Sequence, residues 1–283
     1  MKFALCNEVL HPLPFAQQCQ LAADLGYDGL EVAPFTLAAD PMALSDGDAQ
    51  ALRRIAEDHG LTIFGLHWLL VAPKGLSLVS EDAQVRQRTV DVMTRLVELC
   101  ASMGGSYLVH GSPKQRSVPE GSTREQAWDR ARDCLRAAGE AAARHRVTYC
   151  LEPLSRVETD LVNTVAEGAR MVEEIGLPSL RTMIDCSAAG QAESEPVHLL
   201  MQRWLPTGMV GHVQVNDPNR RGPGQGAMDF GPILQVLQRM EAAGHFPGIV
   251  AVEPFDYVPD GPGCAARAIG YLRGVLQGLE HHD

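Results

Sequence analysis

Four short apolar runs in the second half of this 283-residue chain end on, or carry, a side chain that can hold a cation or move a proton. TYCLE closes on Glu152, RTMID on Asp185 and IVAVE on Glu253, and GHVQV carries His212. Brought to one point, three carboxylates would repel one another and be driven toward their protonated forms. A divalent cation removes that penalty, so the expected chemistry is metal binding through Glu152, Asp185, His212 and Glu253. Three oxygens and one imidazole suit a hard-to-borderline octahedral ion with places left for water or substrate: Mn²⁺ first, then Co²⁺ and Mg²⁺. Zinc would more often bring further histidine or cysteine.

Such convergence requires a scaffold that aims consecutive strand ends at one place. A lone strand-terminal carboxylate more often caps a helix or pairs within a loop. The strand candidates are 3–7, 29–33, 62–68, 106–111, 147–152, 180–185, 209–215 and 249–253, with helical segments between them. In 83–103, Val85, Thr89, Met93, Leu96, Cys100 and Met103 keep to one helical face. Ser122 with Glu125, and Thr164 with Glu167, fit capping boxes, and Gly60, Gly104, Gly176 and Gly244 stand where a left-handed C-cap is wanted. Eight strands alternating with about eight helices predict a (β/α)₈ barrel, a single domain over residues 1–283, with its chemistry at the carboxyl ends of the strands. An open doubly wound sheet is the rival. It usually carries a glycine-rich turn after its first strand, and here that turn reads NEVLHPLPF.

Composition narrows the function classes. With 45% apolar and 21% charged residues the chain is globular rather than disordered. A net charge of −11 without a concentrated basic stripe argues against a nucleic-acid partner. Seven scattered cysteines, with no C-x-x-C pair, read as buried thiols in a reducing compartment. The N-terminal MKFALCNEVLHPLPF is too interrupted for a signal peptide, and no run approaches the ~18 apolar residues of a membrane span. A soluble, cytoplasmic protein with no membrane partner is expected. A homodimer or homotetramer is compatible with the sequence.

EPLSRVET (152–159), Asp185, His212, NRRGPGQG (219–226) and VEPF (252–255) resemble the ketose 3-epimerases. These are the tagatose and allulose (psicose) epimerases of the sugar isomerase/epimerase barrel superfamily, related to xylose isomerase and endonuclease IV. The resemblance spans the whole strand–helix rhythm, with the specific motifs in the second half. It implies one metal ion on Glu152, Asp185, His212 and Glu253, with Glu152 and Glu253 also acting as two bases. Glu158 and Arg220 would hold substrate oxygens. Two departures bear on the substrate: Ala188 stands where the epimerases usually carry histidine, and the segment from His212 to Arg220 is longer and includes Asp217. His67, His110 and Asp229 fall where the endonuclease IV branch has further ligands, but Ala188 leaves that multinuclear set incomplete. His67 and His110 are read as substrate-facing hydrogen-bond donors, with packing at the barrel mouth as the alternative. Trp68 is open to either stacking on a sugar face or packing, and Glu31, a charge within the second strand, requires a partner.

The implied substrate is a small sugar whose carbonyl and adjacent hydroxyl sit on the metal. A carboxylate on one face removes a proton from the neighbouring carbon, and one on the other face returns it. If only one base reaches, the same enediolate gives aldose–ketose isomerisation. Two other classes stand beside this: a lyase or hydrolase acting on an oxidised (3-keto) sugar derivative, and a non-catalytic sugar-binding protein.

Overall fold

The apolar runs form parallel strands and the amphipathic segments between them form helices. In the computed structural model, which describes residues 1–280, the order is β1 (Lys2–Cys6), α1 (Phe15–Leu25), β2 (Gly29–Val32), α2 (Asp46–Asp58), β3 (Thr62–Leu66), α3 (Ala83–Ser102), β4 (Tyr107–His110), α4 (Arg124–His145) and β5 (Thr148–Leu151). It continues with α5 (Val165–Ile175), β6 (Leu180–Asp185), α6 (Cys186–Ala192), α7 (Val197–Trp204), β7 (Val210–Val215), α8 (Phe230–Ala242), β8 (Ile249–Val252) and α9 (Gly261–Glu280). The eight strands close in chain order, and β8 pairs in parallel with β1 through Lys2–Ile249 to Leu5–Val252. This is the predicted (β/α)₈ barrel, with every strand within two residues of its expected bounds. All seven cysteines are free and buried.

Local signals hold with small shifts. Gly60, Gly104, Gly176 and Gly244 all take positive φ. The α4 capping box lies one residue later than expected, with Thr123 and Gln126 as its reciprocal pair, while Ser122 Oγ donates to Glu81. Thr164 caps α5, but the Glu167 carboxylate accepts from the Asn163 N–H at 2.7 Å, so that box is incomplete. Gly65, inside β3, is explained by close approach: a Cβ there would lie 2.5 Å from the Tyr107 ring.

A buried polar cluster ties the barrel interior together. Glu31 on β2 is fully buried and accepts hydrogen bonds from Tyr107 Oη (2.6 Å) and Gln214 Nε2 (2.6 Å), with His212 Nε2 2.8 Å away. Burial alone would raise its pKa, but His212, then His67 and the Tyr107 hydroxyl, hold it down to about 2. The His212 ring also stacks on Tyr107, with centroids 4.0 Å apart. One carboxylate thus joins β2, β4 and β7. Replacing Glu31 by Ala would strand its partners, and should cost about 3–5 kcal/mol of stability. Urea unfolding measures this; a midpoint equal to that of the unmutated protein would show that the cluster contributes nothing.

Candidate functional site

Glu152 and Glu253 each stand one residue beyond the end of an apolar strand, and Asp185 is the last residue of β6. Barrel closure brings the three together: one carboxylate oxygen from each lies within 4.8 Å of the others, and all three side chains are buried. Each is held by its own local contact. Asp185 caps α6, its Oδ1 accepting from the Ala188 N–H at 2.7 Å. Glu253 Oε1 accepts from His67 Nδ1 and Trp68 Nε1, both at 3.0 Å. Glu152 packs against Gly111, where any Cβ would collide with its carboxylate. Asp185 Oδ2 and Glu253 Oε2 have no hydrogen-bond partner among the described residues.

Electrostatics agree with the geometry. Burial, then Glu253 and Asp185, push Glu152 well above the ordinary carboxylate range. Burial is also the leading cause that raises Asp185 to about 7 and Glu253 to about 8. Three buried carboxyl groups with free oxygens and raised proton affinity form a donor set that fits a divalent cation.

His212 is not part of this set. Side chains on a strand alternate, so His212 and Gln214 share a face about 7 Å apart along β7. Gln214 is the one in register with Asp185, whereas His212 lies deeper, committed to Glu31 and Tyr107. Gln214 gives its Nε2 to Glu31, and its buried Oε1 has no partner among the described residues. The structure therefore does not bring His212 to the trio with which the sequence grouped it.

A cavity of about 70 Å³ opens beside the carboxylates, lined by Glu152, Glu253, Glu158, Arg220, Trp68 and Phe255 among others. Glu158 is oriented by Ser155, whose N–H and Oγ donate to its Oε2 at 3.1 and 2.7 Å. Arg220, at φ +71°, lies 5.1 Å above the Phe255 ring and 3.4 Å from Asp256. The structure therefore brings Glu152, Asp185, Glu253, Glu158 and Arg220 to one place. His67 and His110 do not line the cavity: both are fully buried. His67 sits behind Glu253 with Nε2 2.9 Å from Glu8; burial would lower its pKa, but Glu8 and Glu253 outweigh that and raise it well above the ordinary value. His110 bonds the Tyr149 hydroxyl at 2.7 Å and is held neutral, pushed down to about 3 by burial and then by Arg116. Of the two expectations for them, facing the substrate or packing, the structure places both side chains in packing behind the cavity wall.

Sequence reasoning missed Arg116. It is 1% exposed, and its three guanidinium nitrogens have no hydrogen-bond partner among the described residues. Burial pulls it down to about 10 against the opposing pull of Glu152 and Glu158, so it is a buried cation beside two carboxylates of the site. Its place in the loop after β4, at the chemical end of the barrel, was the available signal.

The family model described as "Xylose isomerase-like TIM barrel" matches residues 19–275. The chain belongs to that family. Among the relatives of this xylose isomerase-like barrel is the D-psicose 3-epimerase of Agrobacterium fabrum, 27% identical over 248 residues, covering 85% of this chain and 79% of the relative. The 3-dehydro-D-guloside 4-epimerase of Escherichia coli is 24% identical, covering 89% and 92%. Among solved structures, D-psicose 3-epimerase with D-tagatose from Clostridium cellulolyticum superposes with a TM-score of 0.80 at 21% identity, covering 98% and 99%. The relatives are sugar epimerases. No helix among the described residues is long and apolar enough to cross a membrane.

The raised carboxyl groups carry a stability consequence. The metal-free native state holds protons that the unfolded chain has already released above about pH 4, so its stability should fall as pH rises toward about 8. The raised His67 acts in the same direction, stabilising at low pH and losing that contribution as it deprotonates. Calorimetric melting in chelator from about pH 6 to about pH 9 should show a declining Tm, and saturating Mn²⁺ should lift it most at the alkaline end. Parallel curves with and without the ion would contradict this electrostatic account.

Proposed function

We propose that this chain is a divalent-metal-dependent epimerase or isomerase of ketoses or ketose derivatives. The observation that carries the reading is the buried trio Glu152, Asp185 and Glu253 beside a cavity that also holds Glu158 and Arg220. Likeness to sugar epimerases supports it.

Glu152, Asp185 and Glu253 would hold the ion. Gln214 fits as a further oxygen donor in place of His212, because it is in register with Asp185 and its buried Oε1 is free. An all-oxygen set favours Mn²⁺ or Mg²⁺, with Co²⁺ less suited. When bound, the cation supplies the positive charge that neutralises the trio and stabilises negative charge developing on the substrate's oxygens. Glu152 and Glu253 act as opposed bases, one removing the proton beside the carbonyl and the other returning one to the opposite face. His67 and Trp68 fix Glu253 through Oε1, leaving Oε2 to exchange the proton. Glu158 and Arg220 hold the sugar's hydroxyls; the chain's acidity and soluble composition support a cytoplasmic location with no nucleic-acid partner. A second reading, a lyase or hydrolase on an oxidised sugar, begins with the same proton abstraction. It draws support from the relative named for a dehydro-guloside.

Asp185→Ala should abolish tight Mn²⁺ binding, and titration calorimetry giving an undiminished affinity would sink the ligand assignment. Glu152→Gln keeps shape and removes basicity, so turnover should drop by roughly 10²–10⁴-fold. NMR of carbon-bound deuterium taken up from D₂O across a panel of keto sugars reports the step; absence of uptake with every sugar by the Mn²⁺-loaded protein would overturn enolisation. Arg220→Ala should raise KM while metal content stays near one ion per chain, and loss of the ion would show that the loop after β7 supports the metal instead.

A further inference from the structure

The cavity beside the carboxylates has a neighbour. A second cavity of about 120 Å³ opens on the β6–β7 side of Glu152, over Asp185. Glu152, Leu154, Glu158, Arg220 and Phe255 line both, so the two are lobes of one site. The smaller lobe holds both proposed bases; the larger contains Glu152 but not Glu253. A carbon that loses and regains a proton between two bases therefore belongs in the smaller lobe. Whatever fills the larger is a part of the ligand beyond the reacting carbons.

The walls say what chemistry that part has. Leu154, Ala188 and Pro218 line the larger lobe, and Val157 at its edge is 88% exposed, the most exposed large apolar side chain among the described residues. Such a side chain is left in water unless something covers it. The uncharged polar groups are Ser155, Ser187 and Gln191; Ser155 Oγ is spent on Glu158 at 2.7 Å, and Gln191 Nε2 on the Ser187 carbonyl and Oγ, both at 3.1 Å. The proposed cation would offset Glu152 and Asp185. That leaves Glu158 as the lobe's own negative charge against Arg220, the sole cation among the described residues lining it, itself flanked by Phe255 and Asp256. A phosphate or carboxylate would find a single cationic side chain there, already shared with Asp256 and offset by Glu158. A neutral group with an apolar face needs no such partner.

We infer that the larger lobe is an aglycone subsite: the preferred substrate is a keto sugar carrying a neutral, apolar-faced substituent, rather than a free or phosphorylated ketose. This rests on the enolising reading of the trio and adds the substrate class. An apolar wall such as that of Leu154, Val157, Ala188 and Pro218 discriminates by about 10–200-fold per group it accommodates.

The test uses the Mn²⁺-loaded full chain and compares kcat/KM for deuterium exchange on phenyl and methyl 3-keto-β-glucosides, free D-tagatose and fructose 6-phosphate. The phenyl glycoside should exceed the methyl by at least about tenfold. Ala188→Trp, which fills the lobe, should collapse that ratio toward one. Ala188 is buried on α6, so Val157→Asp, at an exposed position, provides a second variant that spares the core and should also lower the ratio. A phenyl-to-methyl ratio near one in the unmutated protein, or a ratio untouched by both variants, overturns the subsite while leaving enolisation standing. Preference for fructose 6-phosphate overturns it in favour of an anion site. Exchange on none of the four removes the enolising reading and the subsite together.

Discussion

Negative charge concentrated away from water is the physical problem that this barrel organises. Glu152, Asp185 and Glu253 bring carboxylate oxygens within 4.8 Å of one another at buried positions, an arrangement that is unfavourable for three ionised groups without a cation or protons. Much around them manages that charge. Arg116 lies buried near Glu152, His67 is held between Glu8 and Glu253, and the Ala188 N–H, at the start of α6, takes one oxygen of Asp185. Carboxylates that are held in place but not neutralised are prepared to receive a cation without rearrangement.

A second charge, one layer deeper, has a different purpose. Glu31 is paid for by Tyr107, Gln214 and His212, so its environment keeps it ionised while the strand-end trio is pushed toward protonation. The two layers touch through His67, whose Nδ1 is 3.0 Å from Glu253 and 3.7 Å from Glu31. The lower layer fixes β2, β4 and β7 relative to one another, and the upper layer uses the positions so fixed.

The strand rhythm made the barrel legible, because strands buried on both faces write nearly continuous apolar runs and each chemical residue interrupts such a run at its exit. Glu152, Asp185 and Glu253 were readable for that reason. His212 was not, since GHVQV offers two polar side chains on the same face of the strand, and only the stagger between β6 and β7 decides which one reaches the level of Asp185. That register depends on a bulge between Thr182 and Ile184, which no local pattern announces. His67 and His110 turn on a related point: proximity to a strand end places a side chain near the mouth, but whether it faces the cavity or its supporting wall depends on neighbours from other elements, here Glu8 and Tyr149. Arg116 lay in a loop with no periodicity to reveal its inward turn.

The bond between Asp185 and position 188 has an evolutionary implication. What Asp185 grips there is the backbone N–H, which every residue but proline supplies, so the capping contact is indifferent to the side chain. The cap itself thus places no demand on the side chain at 188, and only the packing of α6 limits what can stand there. The wall of the site can therefore drift in shape and polarity while the charged centre stays fixed.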